Sequence, residues 1–404
     1  MSGVLVVGAG QAGHQLAVSL REAGHAGPVT LVGAEADPPY QRPPLSKGFL
    51  AGTVPAEALA LRRPEFYRQR DITVRCGDAV TAVTGGTAVL ASGASLAFDR
   101  LALTPGAAPR RLTVPGADLA GVLTLRDVAD ARALAAALAT ATRVVVVGGG
   151  FIGLEAAAAA RTRGLDVTVV ETADRLIARA VAPLVSDFYR DAHTRRGTRV
   201  LLGSAVDALN GTDGRVGAVH LADGTVLPAD LVVVGIGVVP RTALAEQLGL
   251  RCAGGIVVDA YARTSDPAIV AAGDATVLPN PMTGLGTVRL ESVQNAVDQA
   301  KVAAATLTGR LEPYAAVPWF WSDQDDLKLQ IAGLSYGFDQ HVLRGSPAQE
   351  RFSVLYYRDG RLIAVDAVNR PQDYLAVRRL LAAGGTVPAA DAGRDVPLKE
   401  LARG

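Results

Sequence analysis

Cysteine is nearly absent from this chain of 404 residues, which holds only Cys76 and Cys252 and no C-x-x-C. That excludes a disulfide framework and a thiol zinc site of the usual spacing. It also excludes a paired-thiol relay, because such a relay takes up a hydride equivalent through a disulfide between two nearby cysteines. Histidine is sparse too: His14, His25, His193, His220 and His341 are scattered, so no metal cluster is expected. Charge of one sign is missing as well, with 40 Lys+Arg against 39 Asp+Glu. This balance gives no whole-molecule attraction to nucleic acid or an anionic membrane. No uncharged apolar run approaches the roughly 18 residues that would span a bilayer. Val4 to Val7 already read as a buried strand with a glycine-rich turn directly behind it, so no leader is expected. A soluble, cytoplasmic protein follows as the expectation.

What is present is a large apolar complement, 49% of residues with 20% charged. That is ample for a packed core, and the length predicts two or three domains. The strongest pattern is a duplication. Val4–Val7 runs into Gly8-Ala9-Gly10-Gln11-Ala12-Gly13, an Ala/Leu-rich helix to Arg21, and a strand Val29–Val32. Arg143–Val147 runs into Gly148-Gly149-Gly150-Phe151-Ile152-Gly153, an alanine-rich helix through Glu155 to Arg161, and a strand Asp166–Val170. Each copy is strand, G-x-G-x-x-G, helix, strand. Two copies in that context predict two Rossmann-like dinucleotide-binding domains.

Gly106-Ala107-Ala108-Pro109-Arg110-Arg111 reads as a linker out of the first copy, and Gly235 to Pro240 as the breaker that closes the second. Strands resume at Ile256–Val258 and Ile269–Ala272, so the second copy is inserted within the first. From about Val317 the pattern changes to antiparallel strands (Phe352–Tyr357, Leu362–Val365) and a helix (Tyr374–Ala383), a smaller C-terminal α+β domain. The fold class expected is α/β, with two Rossmann-like halves and this third part.

In such a motif the first glycine makes the tight turn, the second admits a pyrophosphate, and the third lets helix and strand pack closely. The helix N-terminus supplies N–H groups to the phosphates. Gly8, Gly10 and Gly13 are therefore candidates in the first copy, and Gly148, Gly150 and Gly153 in the second. An acid at the end of the following strand accepts from the adenosine ribose. Glu171 stands there in the second copy and Glu35 in the first. A carboxylate repels a 2′-phosphate, and no basic cluster follows Glu171 directly, which favours NADH over NADPH. The alternative at each acid is a solvated charge at a strand end.

Three further features admit two readings each. Pro39 to Lys47 is a proline-stiffened loop in which Lys47 is either a surface lysine or the mate of Glu155. Gly273-Asp274 is either an ordinary turn or a carboxylate offered to a ribityl hydroxyl. Trp319-Phe320-Trp321 concentrates the aromatics of an aromatic-poor chain, as a core cluster or as a stacking wall beside an isoalloxazine.

Taken together, these strings resemble the NADH-dependent ferredoxin reductases of bacterial oxygenase systems, of the putidaredoxin reductase type. The resemblance rests on Val7 to Gly13, Gln41-Arg42-Pro43-Pro44-Leu45-Ser46-Lys47, Gly148 to Glu155 and Gly235 to Pro240. It continues through Thr264 to Pro267, Gly273-Asp274, Arg289 to Ala296 and Pro318 to Gln324, nearly end to end. It implies FAD held noncovalently by Ala12, Lys47, Val80, Arg126, Asp274 and Val293, with Gly273 in the same turn. NADH is then held by the Gly148–Gly153 loop including Ile152, by Glu171, and by Gly235-Ile236-Gly237. Lys47, Glu155 and Trp321 are implied to act at the flavin.

The implied activity is that of an NADH:ferredoxin oxidoreductase passing electrons to a [2Fe–2S] ferredoxin that feeds a cytochrome P450 or another oxygenase. The partner docks transiently by charge, with Lys301 as one contact, on a monomer or homodimer. The implied division is an FAD-binding domain over residues 1–110 and 243–316, an NAD-binding domain over 111–242, and a C-terminal domain over 317–404. Rival readings are a rubredoxin reductase, an NADH oxidase, or a redox-sensing interaction flavoprotein of the same architecture. Two departures stand out: Thr104-Pro105-Gly106 where the family has Ala-Thr-Gly, and Ala34 where it often has an acid. The second leaves the FAD ribose contact open between Ala34 and Glu35.

Overall fold

The structure, a computed structural model, describes residues 3–402. The chain forms two compact units: Met1–Gln41, Ala56–Ala108 and Val239–Phe320 in the first, Arg42–Pro55, Pro109–Val238 and Trp321–Gly404 in the second.

The first unit is built on a five-stranded parallel sheet in the order Ile269–Ala271, Arg100–Leu103, Val4–Val7, Val29–Val32, Ile72–Arg75. Both faces are covered at its centre, so Val4–Val7 is apolar and buried throughout rather than alternating. Along Val4–Val7 the strand period of two sends Val4 and Val6 into one core and Leu5 and Val7 into another. The first core is closed by helix Gln11–Glu22, through Leu16 and Leu20, and by helix Val293–Leu307, through Ala300, Ala303 and Ala304. Small residues on the second helix let the two backbones come together. A three-stranded antiparallel sheet (Val80–Thr84, Thr87–Leu90, Ser95–Ala97) contributes Ala88 and Leu90 to the other core.

The second unit repeats the plan. Its five-stranded parallel sheet runs Arg199–Leu201, Asp166–Val170, Arg143–Val147, Leu231–Val234, Val122–Thr124. Helix Phe151–Thr162 follows the second glycine turn, and helix Pro183–Arg195 precedes the edge strand. The same unit contains a five-stranded antiparallel sheet from the C-terminal part of the chain, ordered Trp319–Gln324, Leu327–Gly333, Arg361–Val368, Arg351–Arg358, Gln340–Ser346. Helix Pro371–Ala382 packs on it through Tyr374 and Val377. The strands and helices expected from periodicity lie where expected, with ends shifted by a few residues; the expected helix 374–383 is observed as Pro371–Ala382. The stretch expected as a bare linker carries a short strand, Ala107–Pro109.

Candidate functional site

The two glycine turns are constructed alike, each within its own unit. Gly8 has φ +112° and Gly148 φ +108°, a conformation that L side chains rarely adopt. Each is pressed against the backbone at the end of a strand that neighbours its own, Arg100–Leu103 in the first sheet and Leu231–Val234 in the second. A Cβ on Gly8 would strike the Thr104 carbonyl, and one on Gly148 would lie 2.5 Å from the Gly235 carbonyl oxygen. Gly13 and Gly153 sit against the carbonyls of Gly8 and Gly148, so neither tolerates a side chain.

The middle glycines differ from these. A Cβ on Gly10 would meet nothing within 4 Å, and one on Gly150 only the Gly235 carbonyl at 4.0 Å. The helices that begin there, Gln11–Glu22 and Phe151–Thr162, have no side-chain cap and no acid in the first turn. Helix Val293–Leu307, by contrast, is capped by Ser292, whose hydroxyl accepts from Asn295 N at 3.0 Å. Open space beside the second glycine, with uncapped N–H groups facing it, fits a pyrophosphate. The residues present therefore fit a dinucleotide in each unit.

Thr104, which sequence reasoning treated as a departure, forms the floor of the first turn. Its hydroxyl donates to Gly8 O at 2.9 Å and Val7 O at 3.1 Å. Pro105 costs nothing there, since the ladder bond is made by Thr104 N to Val7 O at 2.8 Å.

At the strand ends the two acids are held differently. Glu171 accepts from Gly149 N at 2.6 Å and from Ala173 N at 2.8 Å, so its carboxylate braces the second glycine turn. Glu35 is half-buried and accepts from the Tyr40 hydroxyl, while Ala34 beside it is exposed. In the same unit, Gly273 packs on Ala12, where an added Cβ would lie 3.1 Å from the Ala12 Cβ. The turn is fixed by buried Gln299, whose Oε1 accepts from Gly273 N at 2.8 Å and Thr276 Oγ1 at 2.9 Å. Asp274 and Val293 are half-buried beside it in sequence and at the helix start, and Val80 opens its antiparallel strand. His14, next to Gly13, is part of the core: Tyr67 Oη lies 2.8 Å from its Nδ1, and burial, with the Arg62 charge, lowers its pKa to about 4.

The second unit brings together residues far apart in sequence. Glu155, 2% exposed, ion-pairs through Oε2 with Lys47 Nζ at 2.8 Å. Ser46 donates to the same oxygen, and Ser322 Oγ donates to Oε1 at 2.6 Å. Lys47 is thus the mate of Glu155 and not a free surface lysine. Neither serine was singled out from sequence; the only signal was adjacency, Ser46 to Lys47 and Ser322 to Trp321. Trp321 lies half-buried on the first strand of the C-terminal sheet, where alternation puts it on the opposite face from Ser322. Arg126 is half-buried; its N–H donates to Asp130 Oδ2 at 2.9 Å and its carbonyl accepts from Arg42 Nη1 at 2.9 Å. Gly237 has φ +96°, and Ile152 is 42% exposed at the start of its helix.

In the first unit Lys301 pairs with Asp298 on its own helix at 3.2 Å, its side chain 55% exposed. Cys76 and Cys252 are both free thiols, with pKa values raised by burial. Among the described residues no helix is long and apolar enough to cross a membrane.

Residues 2–300 match the family model of pyridine nucleotide-disulphide oxidoreductases. The chain belongs to that family. Residues 319–402 match a second model, the reductase C-terminal domain. Rhodocoxin reductase of Rhodococcus erythropolis is 48% identical over 381 residues, 94% of this chain and 89% of that one. The crystal structure of the ferredoxin reductase for the CYP199A2 system from Rhodopseudomonas palustris superposes with a TM-score of 0.96 at 43% identity, covering 99% and 100%. The putidaredoxin reductase–putidaredoxin covalent complex gives 0.95 at 40% identity, covering 99% and 98%. The family fold and the FAD and nicotinamide cofactors expected from sequence are those of this family.

Proposed function

We propose that this chain is an NADH:ferredoxin oxidoreductase, which draws electrons from NADH through FAD and delivers them to a [2Fe–2S] ferredoxin serving a cytochrome P450 or another oxygenase. The observation that carries this is the pair of glycine turns of the same construction, each with an uncapped helix and open space at its second glycine. Relatives named as ferredoxin reductases, matched along nearly the whole chain, supply the acceptor class. With only two cysteines, both single, the chain's own thiols give electrons no place to go, so the acceptor is external to the chain.

The functional division proposed is an FAD-binding domain over residues 1–110 and 243–316, an NAD-binding domain over 111–242, and a C-terminal domain over 317–404. FAD is assigned to Gly8, Gly10, Ala12, Gly13, Glu35, Lys47, Val80, Arg126, Gly273, Asp274 and Val293. NADH is assigned to Gly148, Gly150, Ile152, Gly153, Glu171 and Gly237.

When bound, FAD supplies the exchange between a two-electron donor and a one-electron acceptor. The protein's part is orientation and electrostatics, with no acid–base histidine required. Lys47 presents a cation whose place is set by buried Glu155, and this charge favours an electron-rich partner beside it. Trp321 offers a flat apolar wall for stacking. Glu171 holds the second turn in shape and accepts from a ribose that lacks a 2′-phosphate. A cytoplasmic location follows from the need for NADH, and the ferredoxin is proposed to dock transiently by charge, with Lys301 among its contacts.

The test is cytochrome c reduction by NADH with and without a [2Fe–2S] ferredoxin. Rapid reduction only when the ferredoxin is present is expected. Equal rates without it, or abundant peroxide, would point instead to direct reduction or to an oxidase.

A further inference from the structure

Behind Glu155 a line of buried polar side chains continues through the second unit. Ser322 (0% exposed), Gln324 (1%) and His193 (3%) are enclosed as fully as Glu155 itself. Ser322 and Gln324 are two residues apart on one strand and so share a face. His193 comes from helix Pro183–Arg195. The distances are 2.6 Å from Ser322 Oγ to Glu155 Oε1, 3.3 Å from Gln324 Nε2 to Ser322 Oγ, and 2.8 Å from His193 Nε2 to Gln324 Oε1.

The chemistry of each group fixes the direction of this line. A carboxylate only accepts, so Ser322 donates its one proton to Glu155. Ser322 then accepts from its other neighbour, which must be the Gln324 amide N–H. Gln324 therefore turns its carbonyl toward His193, and His193 must carry its proton on Nε2. Burial lowers the pKa of His193 against the opposing hydrogen bond to Gln324, which favours the neutral ring, and that bond to a carbonyl puts its one proton on Nε2. Every donor in the line points toward Glu155.

We propose that His193, Gln324 and Ser322 form a one-way hydrogen-bond chain that positions the Glu155 carboxylate against Lys47, making His193 a remote positioning residue for the reaction. This rests on the role given above to the Lys47–Glu155 pair. A buried carboxylate needs its oxygens satisfied in a fixed orientation. With Ser46 and Lys47 on one oxygen, the chain from His193 is what holds the other.

The test combines a spectroscopic and a kinetic readout on the FAD-loaded protein. Nitrogen-15 spectra of labelled histidine should show His193 as the Nε2–H tautomer. In Glu155→Gln, the amide oxygen stays with Lys47, a donor, and its N–H₂ faces Ser322. Each bond of the line then reverses, and His193 should switch to the Nδ1–H tautomer. A wild-type Nδ1–H ring, or a tautomer unmoved by Glu155→Gln, overturns the chain.

Kinetically, His193→Leu and Gln324→Leu should each slow flavin reduction by NADH about three- to tenfold, as expected for a hydrogen bond to a charged group lost at one remove. His193→Gln, which keeps a donor, should recover most of that rate. In the Glu155→Gln background the His193→Leu loss should vanish. A His193→Leu loss undiminished in that background overturns the proposal. If Glu155→Gln leaves flavin reduction unchanged, the role of the Lys47–Glu155 pair fails. If Glu155→Gln slows it while His193→Leu and Gln324→Leu do not, only the positioning chain fails.

Discussion

Lys47 and Glu155, 108 residues apart in sequence, are joined Nζ to Oε2 at 2.8 Å, with side chains 17% and 1% exposed. The pair is asymmetric: the lysine reaches water and the glutamate does not. Removing the cation therefore strands a charge, whereas removing the anion leaves a lysine that water can serve. Lys47→Met should lower stability by about 2–3 kcal/mol, below the usual cost of splitting a fully buried pair because Lys47 is partly solvated. Lys47→Met with Glu155→Gln should recover at least half of that loss. Urea unfolding at fixed excess FAD measures both; a double variant as unstable as Lys47→Met alone would contradict the asymmetry.

The middle glycines give a cleaner test of where nucleotides lie. A methyl at Gly10 or Gly150 meets no protein atom closer than 4.0 Å, and Gly10 has an ordinary φ of −84°. Gly10→Ala should fold with an unchanged melting temperature as apoprotein, yet bind FAD at least about tenfold more weakly, because the methyl occupies the pyrophosphate's approach. Gly150→Ala should raise KM for NADH and leave FAD content alone. An unaltered FAD affinity in Gly10→Ala would place the phosphates elsewhere.

Glu171 braces Gly149 and Ala173 and also stands where an adenosine ribose is expected. NADH should exceed NADPH in kcat/KM by more than about tenfold. Glu171→Ala should cost NADH about tenfold or more, from a lost charged hydrogen bond and a loosened turn, and narrow the preference. Comparable efficiency of the two donors in the wild type would remove the specificity role from Glu171.

Asp366 carries a pH signature. It is 0% exposed, and burial raises its pKa to about 7, against the opposing hydrogen bond from Tyr356 Oη at 2.5 Å. The folded pKa lies above the unfolded one, so between about pH 4 and 7 the folded state binds the extra proton. Stability from this group is then complete at the acid end and falls as pH rises, by up to about 1.4 kcal/mol per pH unit, levelling near 7. Asp366→Asn keeps an acceptor for Tyr356 and should flatten that slope. Chemical unfolding from pH 4 to 8 reads it; identical slopes in both proteins would refute the assignment.

Lys301 is exposed and already paired with Asp298. Lys301→Glu replaces that pair with two like charges and reverses the local sign. Ferredoxin reduction should slow severalfold at low salt, with the difference shrinking as salt rises, while ferricyanide reduction stays as before. An equal loss with both acceptors would take Lys301 off the docking face.

Much of this was legible in one dimension because it is governed by short-range rules. A strand, three glycines at fixed spacing and an alanine-rich helix specify a tight turn locally, so the close-packed positions of Gly8, Gly13, Gly148 and Gly153 could be read from spacing, and Val4–Val7 and Arg143–Val147 from apolar runs. The repetition of that unit, and the lack of paired thiols, fixed the class of chemistry. Tertiary structure alone decided which distant polar groups share a carboxylate. Ser46, Ser322, Gln324 and His193 are ordinary residues on a loop, a strand and a helix, and nothing in their spacing marks them. Thr104 read as a departure until its hydroxyl was seen to serve the carbonyls of Val7 and Gly8. The reason is physical: a turn is set by its own dihedrals, but a buried charge is satisfied by whatever donors folding brings to it, from any distance along the chain.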